Sequence, residues 1–219
     1  MKIVMISDTH GLHSLMKPLP QGDVLIHAGD CLNSGSFEEL YQFLYWFKKQ
    51  PHKYKIMIAG NHDWCFERKP EQAQKVVRNT LDMAGGIIYL QDSSIEIEGV
   101  KFYGSPWQPF FCDWAFNLNR GKDLYDKWQM IPEDTDVLIT HGPPYGILDL
   151  APGDRHVGCE ELEARIYKMW GNTEKLKIHV FGHLHGSYGT GRIGNVRFYN
   201  AAICTEQYEP TNEPWEIEL

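Results

Sequence analysis

Lys2-Ile3-Val4-Met5-Ile6-Ser7-Asp8-Thr9-His10 is a short apolar run that stops at a carboxylate and an imidazole. A β-branched run without polar alternation reads as a strand covered on both faces. The groups just beyond it then stand at the strand's carboxyl end. The same arrangement recurs four times. Val24–Ile26 leads to Gly29-Asp30, Lys55–Ile58 to Gly60-Asn61-His62-Asp63, Val137–Ile139 to His141-Gly142-Pro143-Pro144, and Lys177–Phe181 to Gly182-His183-Leu184-His185. In open α/β sheets ligands gather beyond the carboxyl ends of the strands, so five distant segments are expected to meet at one crevice. If the backbone stays extended, Asp8 and His10 project to one side as a pair, and so do His183 and His185.

Helical patterns separate these strands. Ser36-Phe37-Glu38-Glu39 has capping-box spacing and opens a helix to Lys49. Pro70-Glu71 opens another to Ala84, closed by Gly85-Gly86; two more span Lys122–Met130 and Glu160–Trp170, the last stopped by Gly171. Ile87–Leu90, Ile95–Ile97 and Val100–Tyr103 succeed one another without a helix, and Arg197–Ala201 and Trp215–Leu219 add late strands. The class is α/β with mixed sheets. With 219 residues and no repeat or linker, one domain over 1–219 is expected. The irregular stretch Ser105–Arg120 carries Trp107, Phe110, Phe111, Trp114 and Phe116, which should be buried against the domain, a partner or a ligand.

Composition narrows the function classes. An apolar fraction of 42% with 23% charged residues gives a chain able to build a core, with no unbroken membrane-length run. The balance of 21 basic against 29 acidic residues, net −8, disfavours duplex nucleic acid, whose affinity rests on phosphate neutralisation. Cys31, Cys65, Cys112, Cys159 and Cys204 are odd in number and lack a C-x-x-C pair, which argues against a disulfide framework and a structural zinc site. Ile3–Ile6 is too short for a signal-peptide core. The expectation is a cytoplasmic protein with no membrane partner; a homodimer is left open.

The strand tips hold Asp8 and Asp30, His10, His141, His183 and His185, and the amide oxygen of Asn61. Seven donors are too many for one tetrahedral ion and suit two ions sharing a carboxylate, the arrangement that clamps both oxygens of a phosphoryl displacement. Imidazole, carboxylate and amide without thiolate favour two divalent or trivalent ions drawn from Mn, Fe, Zn, Co or Ni. Two divalent ions, two carboxylates and a hydroxide sum to +1, which a phosphodiester monoanion neutralises and a monoester dianion overshoots. His13, His27, His52, His156 and His179 are expected to be ordinary packing or surface residues, His27 in the core.

The ordered blocks D-x-H, G-D, G-N-H-D, His before Gly, and G-H-x-H resemble the calcineurin-like metallophosphoesterase superfamily. The likeness runs from Lys2 to about Cys204. Gly104–Pro109, Phe111–Asn117, His141–Pro144 and Val157-Gly158-Cys159 are similar to its metallophosphoesterase-domain-containing proteins, a subgroup akin to class III cyclic nucleotide phosphodiesterases. Vertebrate members of that subgroup can lack the first histidine of the last block, which this chain keeps as His183.

The resemblance implies a four-layer α/β/β/α sandwich of two mixed β-sheets flanked by helices, with a dinuclear metal site at the strand C-terminal edge. It assigns Asp8, His10, Asp30 and His185 to one metal, and Asn61, His141, His183 and bridging Asp30 to the other. His62 would be the general acid, with Asp63 orienting its ring, and the nucleophile an in-line hydroxide bridging the metals. Asn61, His62, Arg120 and Arg155 are candidates to contact the substrate, a small phosphodiester of nucleotide type such as a 2′,3′- or 3′,5′-cyclic nucleotide. A phosphomonoesterase or protein phosphatase would use the same site. A DNA-repair exonuclease is disfavoured by the charge, and a non-catalytic scaffold would bind through the aromatic loop.

Overall fold

A computed structural model describes residues 1–79 and 86–219. In chain order the strands are β1 (Lys2–Ile6), β2 (Val24–Ala28), β3 (Tyr54–Ile58), β4 (Ile87–Tyr89), β5 (Ser93–Ile97), β6 (Val100–Ser105), β7 (Gln108–Pro109), β8 (Asn117–Leu118), β9 (Val137–Thr140), β10 (Leu150–Ala151), β11 (Arg155–His156), β12 (Ile178–Phe181), β13 (Gly189–Ile193), β14 (Val196–Asn200) and β15 (Trp215–Glu218). The helices are α1 (Phe37–Lys48), α2 (Trp64–Arg68), α3 (Pro70–Asn79), α4 (Lys122–Gln129) and α5 (Glu160–Thr173).

One sheet has the order β15-β1-β2-β3-β4 and the other β13-β14-β12-β9-β6-β5. Both are mixed. Strands β1 to β4 run parallel while β15 lies antiparallel on β1; β6, β9, β12 and β14 run parallel between antiparallel β5 and β13. The period of two explains the unbroken apolar runs. In β1, Ile3 and Met5 pack between the sheets with Ile26, Ile56, Phe102, Ile139 and Val180. Val4 and Ile6 point the other way, onto Phe43, Phe47 and Phe66 of the helical layer formed by α1, α2 and α3. The outer face of the second sheet buries Leu138, Phe181 and Phe198 against Leu124, Trp128, Leu162 and Ile166 of α4 and α5. The layers are therefore α/β/β/α, as expected.

Several local expectations need adjusting. The capping box at Ser36 and Glu39 forms as read. Helix α5 continues through Gly171 to Thr173 and ends where Glu174 turns left-handed at φ 50°. A glycine costs a helix about 1 kcal/mol, too little to stop one whose buried face is fixed by Leu162, Ile166 and Met169. The expected end of the third helix at Ala84-Gly85 lies outside the described residues. The aromatic stretch is only partly buried: Phe116 is enclosed, whereas Phe110 and Phe111 are 62% and 54% exposed. They follow β7, just past its pairing with β8, and the Phe111 ring stands 6.0 Å from that of His183. Among the described residues no helix is long and apolar enough to cross a membrane.

Candidate metal centre

The five strand tips do converge, but not by extended backbone. The parallel strands β1, β2, β3, β9 and β12 all end on one edge, and past them the chain turns sharply. Asp8, His10, Asp30 and His183 adopt φ values of 50°, 44°, 54° and 68°. So many non-glycine residues in the left-handed region mark a strained, over-determined edge. The expected pairing of Asp8 with His10 on one side of a straight strand therefore fails. The chain instead folds back at each residue and aims the side chains inward. Gly182 is required there by close approach, since a Cβ would meet Asp8 Oδ2 at 1.9 Å and Ser7 Oγ at 2.0 Å.

Two donor groups result. In the first, His10 Nε2 lies 3.1 Å from His185 Nε2, and His185 Nε2 lies 3.3 Å from Asp8 Oδ1. His10 Nε2 is 3.8 Å from Asp30 Oδ2 and 3.9 Å from Asp8 Oδ1. In the second, Asn61 Oδ1 is 2.9 Å from His141 Nε2 and 2.8 Å from His183 Nδ1, and Asp30 Oδ2 is 3.3 Å from His141 Nε2. Asp30 touches both groups. Ligand bonds of about 2.0–2.2 Å set donor–donor edges of about 2.8–3.6 Å around four- to six-coordinate ions, and most of these separations fall there. The opposite ring edges are fixed: His141 Nδ1 faces the Ala28 carbonyl at 3.1 Å and His185 Nδ1 the Thr205 carbonyl at 3.0 Å. Each such bond leaves Nε2 bare for a cation.

The electrostatics agree with a cation-binding role. Burial pushes the Asp8 and Asp30 carboxyls up, yet His185 beside Asp8 and His141 beside Asp30 hold both well below the usual carboxylate range. Burial lowers His141, but Asp30 overrides it and raises the ring to about 9. Burial first, with the neighbouring His141 charge adding to it, takes His183 down to about 4. The two buried carboxylates thus favour positive charge beside them, on His141 next to Asp30 and on His185 next to Asp8, which is the charge that metal ions would replace. The residues present fit two such ions.

His62 stands at the mouth. Its amide N–H donates to Asp30 Oδ1 at 2.8 Å, and its ring lies edge-on to His10 at 4.5 Å and stacked on Trp114 at 4.2 Å and 25°. Asp63 does not orient that ring. The His62 Nδ1 faces the Asn33 carbonyl at 2.7 Å, while the fully buried Asp63 carboxylate accepts the N–H groups of Gly60 (2.7 Å) and Leu32 (2.9 Å) and contacts Cys31 Sγ at 3.4 Å. A carboxylate already engaged by backbone donors has no free oxygen to turn toward the ring. Asp63 acts on His62 at one remove, by tying down the 31–33 loop that supplies the Asn33 carbonyl. Burial, with Asp30 nearby, raises the Asp63 carboxyl to about 7.

A cleft of about 470 Å³ opens over these groups, walled by Phe111, Trp114, Leu150, Pro152, Glu206 and Tyr208. Arg120 and Arg155 do not line it. Arg120 spends its fork on the Val157 and Gly158 carbonyls, both at 2.8 Å, and on Glu160. Arg155 is exposed on β11. Sequence reasoning missed Tyr208, whose ring packs 4.9 Å from His10 and 5.3 Å from His185, and Glu206. Both come soon after Thr205, whose carbonyl anchors His185, and no motif marks them.

Comparison with known proteins fits this geometry. Residues 1–187 match the family model described as calcineurin-like phosphoesterase. The chain is 40% identical over 239 residues to human metallophosphoesterase domain-containing protein 1, covering 100% of this chain and 71% of that protein. It is 37% identical to the UPF0046 protein T07D4.2 of Caenorhabditis elegans, covering 97% of this chain and 58% of that one. Among solved structures, a putative 5′-nucleotidase from Staphylococcus aureus in complex with alpha-ketoglutarate superposes with a TM-score of 0.50 at 15% identity, over 91% of this chain and 48% of its own, a likeness of fold. With a family model spanning most of its length and relatives alike over all of it, this chain belongs to the calcineurin-like phosphoesterase family.

Proposed function

We propose that this chain, a metal-dependent phosphoester hydrolase by family, cleaves small phosphodiesters of nucleotide type, with 2′,3′- and 3′,5′-cyclic nucleotides as the expected class. The carrying observation is the pair of donor groups that share Asp30 beneath a cleft with His62 at its mouth. Asp8, His10, Asp30 and His185 would hold one ion, and Asn61, His141, His183 and Asp30 the other, drawn from Mn, Fe, Zn, Co or Ni. Such ions, when bound, supply Lewis acidity that draws charge from a phosphoryl oxygen and acidifies a water.

The rest is done by the chain. His62 donates Nδ1–H to the Asn33 carbonyl, which fixes the ring and points Nε2 away from that bond. A proton at Nε2 would pass to the departing oxygen, from a ring held in place by stacking on Trp114. Diester preference rests on charge. Among the described residues no Lys or Arg lines the cleft, and Glu206 adds a carboxylate, so a monoester dianion meets no guanidinium or ammonium. Monoester cleavage is the second reading, favoured by the 5′-nucleotidase name of the Staphylococcus aureus protein of like fold.

The deciding assay supplies each metal in turn and compares bis(p-nitrophenyl) phosphate, p-nitrophenyl phosphate and both cyclic forms of AMP. Diester turnover above monoester turnover, lost in Asp30→Ala, is the expected result. Faster monoester turnover would replace this reading with the second, and silence toward every ester while two ions are bound would leave a scaffold.

A further inference from the structure

The metal cleft does not end at Pro152. A second groove of about 490 Å³ adjoins it, and Leu150, Ala151, Pro152, Gly186 and Glu206 border both. The residues they share come from β10, the chain just after it, the turn at His185–Ser187 and Glu206, so the two spaces lie side by side along that border. Each is of a size that holds an organic group, far more than a phosphate needs.

One side chain in the second groove is held in a set orientation. His156 Nδ1 lies 2.6 Å from Asp149 Oδ1, and its ring packs 5.3 Å from Tyr145. Asp149 is only 1% exposed, and its Oδ2 accepts N–H bonds from Gly146 at 2.9 Å and Gly158 at 3.0 Å. Three donors therefore satisfy a carboxylate that cannot move. Facing an acceptor, Nδ1 carries a proton, so Nε2 is the ring nitrogen left open to the groove, where it can accept a hydrogen bond. Among the described residues Nε2 has no protein partner, and His156 lines the groove. The strand alternation that presents His156 to the groove turns Arg155 to the other face.

The remaining polar surface has the same sense. Asp154 and Glu206 are exposed acceptors on the wall, and no Lys or Arg lines the groove. The hydroxyls of Ser187 and Tyr188 are already given to the Leu150 and Glu213 carbonyls, at 2.9 and 2.8 Å. The groove therefore presents acceptors and negative charge.

We infer that His156 is a specificity-determining residue, which receives a hydrogen bond from the organic arm of the phosphate ester, and that this arm is a non-anionic group carrying hydroxyl or amine donors. The inference rests on the proposed phosphoester reading of the metal cleft, since an ester whose phosphate sat there could extend its arm across the shared border into the groove.

The test uses the full, metal-loaded chain and p-nitrophenyl phosphodiesters whose second alcohol is propyl, hydroxypropyl, aminopropyl or carboxyethyl, arms of nearly equal size. The donor arms should exceed propyl in kcat/KM by about tenfold, the worth of one or two modest hydrogen bonds, with the gain in KM and the carboxyethyl ester below propyl. His156→Ala should erase the donor preference, and His156→Gln, which keeps an acceptor, should restore part of it. Calorimetric binding of aminopropyl phosphate against propyl phosphate gives the same comparison without turnover. A donor preference unchanged in His156→Ala, or no preference in the wild type while propyl esters still react, overturns the inference. If no diester reacts at all, the phosphodiesterase reading fails by itself and the binding comparison decides: aminopropyl selectivity lost in His156→Ala upholds the groove, and equal binding overturns it.

Discussion

Gly182→Ala should damage this protein out of proportion to its size, because the added Cβ lands on the Asp8 carboxylate. It would lie 1.9 Å from Asp8 Oδ2 and 2.0 Å from Ser7 Oγ, where real Cβ contacts stay beyond 3.0 Å. Relief requires one of the two parts to retreat by about 1.1 Å, the difference between 3.0 and 1.9. Neither has slack: Asp8 is fully buried, takes the His183 amide at 3.0–3.1 Å and accepts the Ser7 hydroxyl. Overpacking of this kind costs about 1–3 kcal/mol, which in a chain of this length lowers Tm by about 2–12 °C. With Asp8 in its proposed role as a ligand, its displacement should also weaken metal affinity by at least about tenfold to a hundredfold.

Gly171→Ala is the matched control. It sits inside α5 with nothing within 4 Å of the new methyl, and should raise stability by about 0.5–1 kcal/mol. Differential scanning fluorimetry of both variants after chelation, followed by calorimetric metal titration, measures the two effects separately. A Gly182→Ala protein that melts within about 1 °C of wild type and binds two ions at unchanged affinity would refute the steric account.

On the proposed role of His62 as proton donor, His62→Ala should lower kcat by about a hundredfold to ten-thousandfold while the metal content holds, since the ring faces the cleft; elemental analysis alongside kcat checks this, and lost metal would make the residue structural. Stability of the chelated protein should fall as acidity rises. Burial holds His13 neutral to about pH 4 and His179 to about pH 3, while both protonate near 6.5 when unfolded. The unfolded chain therefore binds more protons between those values, so their stabilisation is complete above about pH 6.5 and drains away as pH falls toward 4 and 3. Urea midpoints measured at steps from about pH 7.5 to 4.5 should show the decline, and His179→Leu, if it folds, should shallow it; equal slopes would refute the assignment.

Much of the site was legible because its chemistry sits at strand ends. Lys2–Ile6 and Ile178–Phe181 are apolar on both faces because one face meets the second sheet and the other a helical layer, and that double burial writes a run no surface strand would tolerate. The sheet alone places the residues just past such a run, so Asp8, Asp30, Asn61, His141 and His183 could be gathered on paper. The helices were legible where a cap carried a signature, as at Ser36 and Glu39, and misjudged where packing overrode it, as at Gly171.

Partners made by backbone atoms were beyond the sequence. The Asn33 carbonyl that fixes His62 has no residue type to betray it, and the adjacent Asp63 drew a role that its bonds to Gly60 and Leu32 preclude. Arg120 and Arg155 looked like phosphate clamps because a guanidinium is read by its chemistry. Only the loop around Val157 and Gly158 shows where the Arg120 fork goes, and only the register of a two-residue ribbon turns His156 rather than Arg155 into the groove. The left-handed turns at Asp8, His10, Asp30 and His183 were equally hidden. Local sequence determined which chemical groups exist and which strand carries each, because hydrophobic periodicity is a one-dimensional signal. The aim of each group belongs to the tertiary structure, because it depends on backbone angles and carbonyls that distant segments impose.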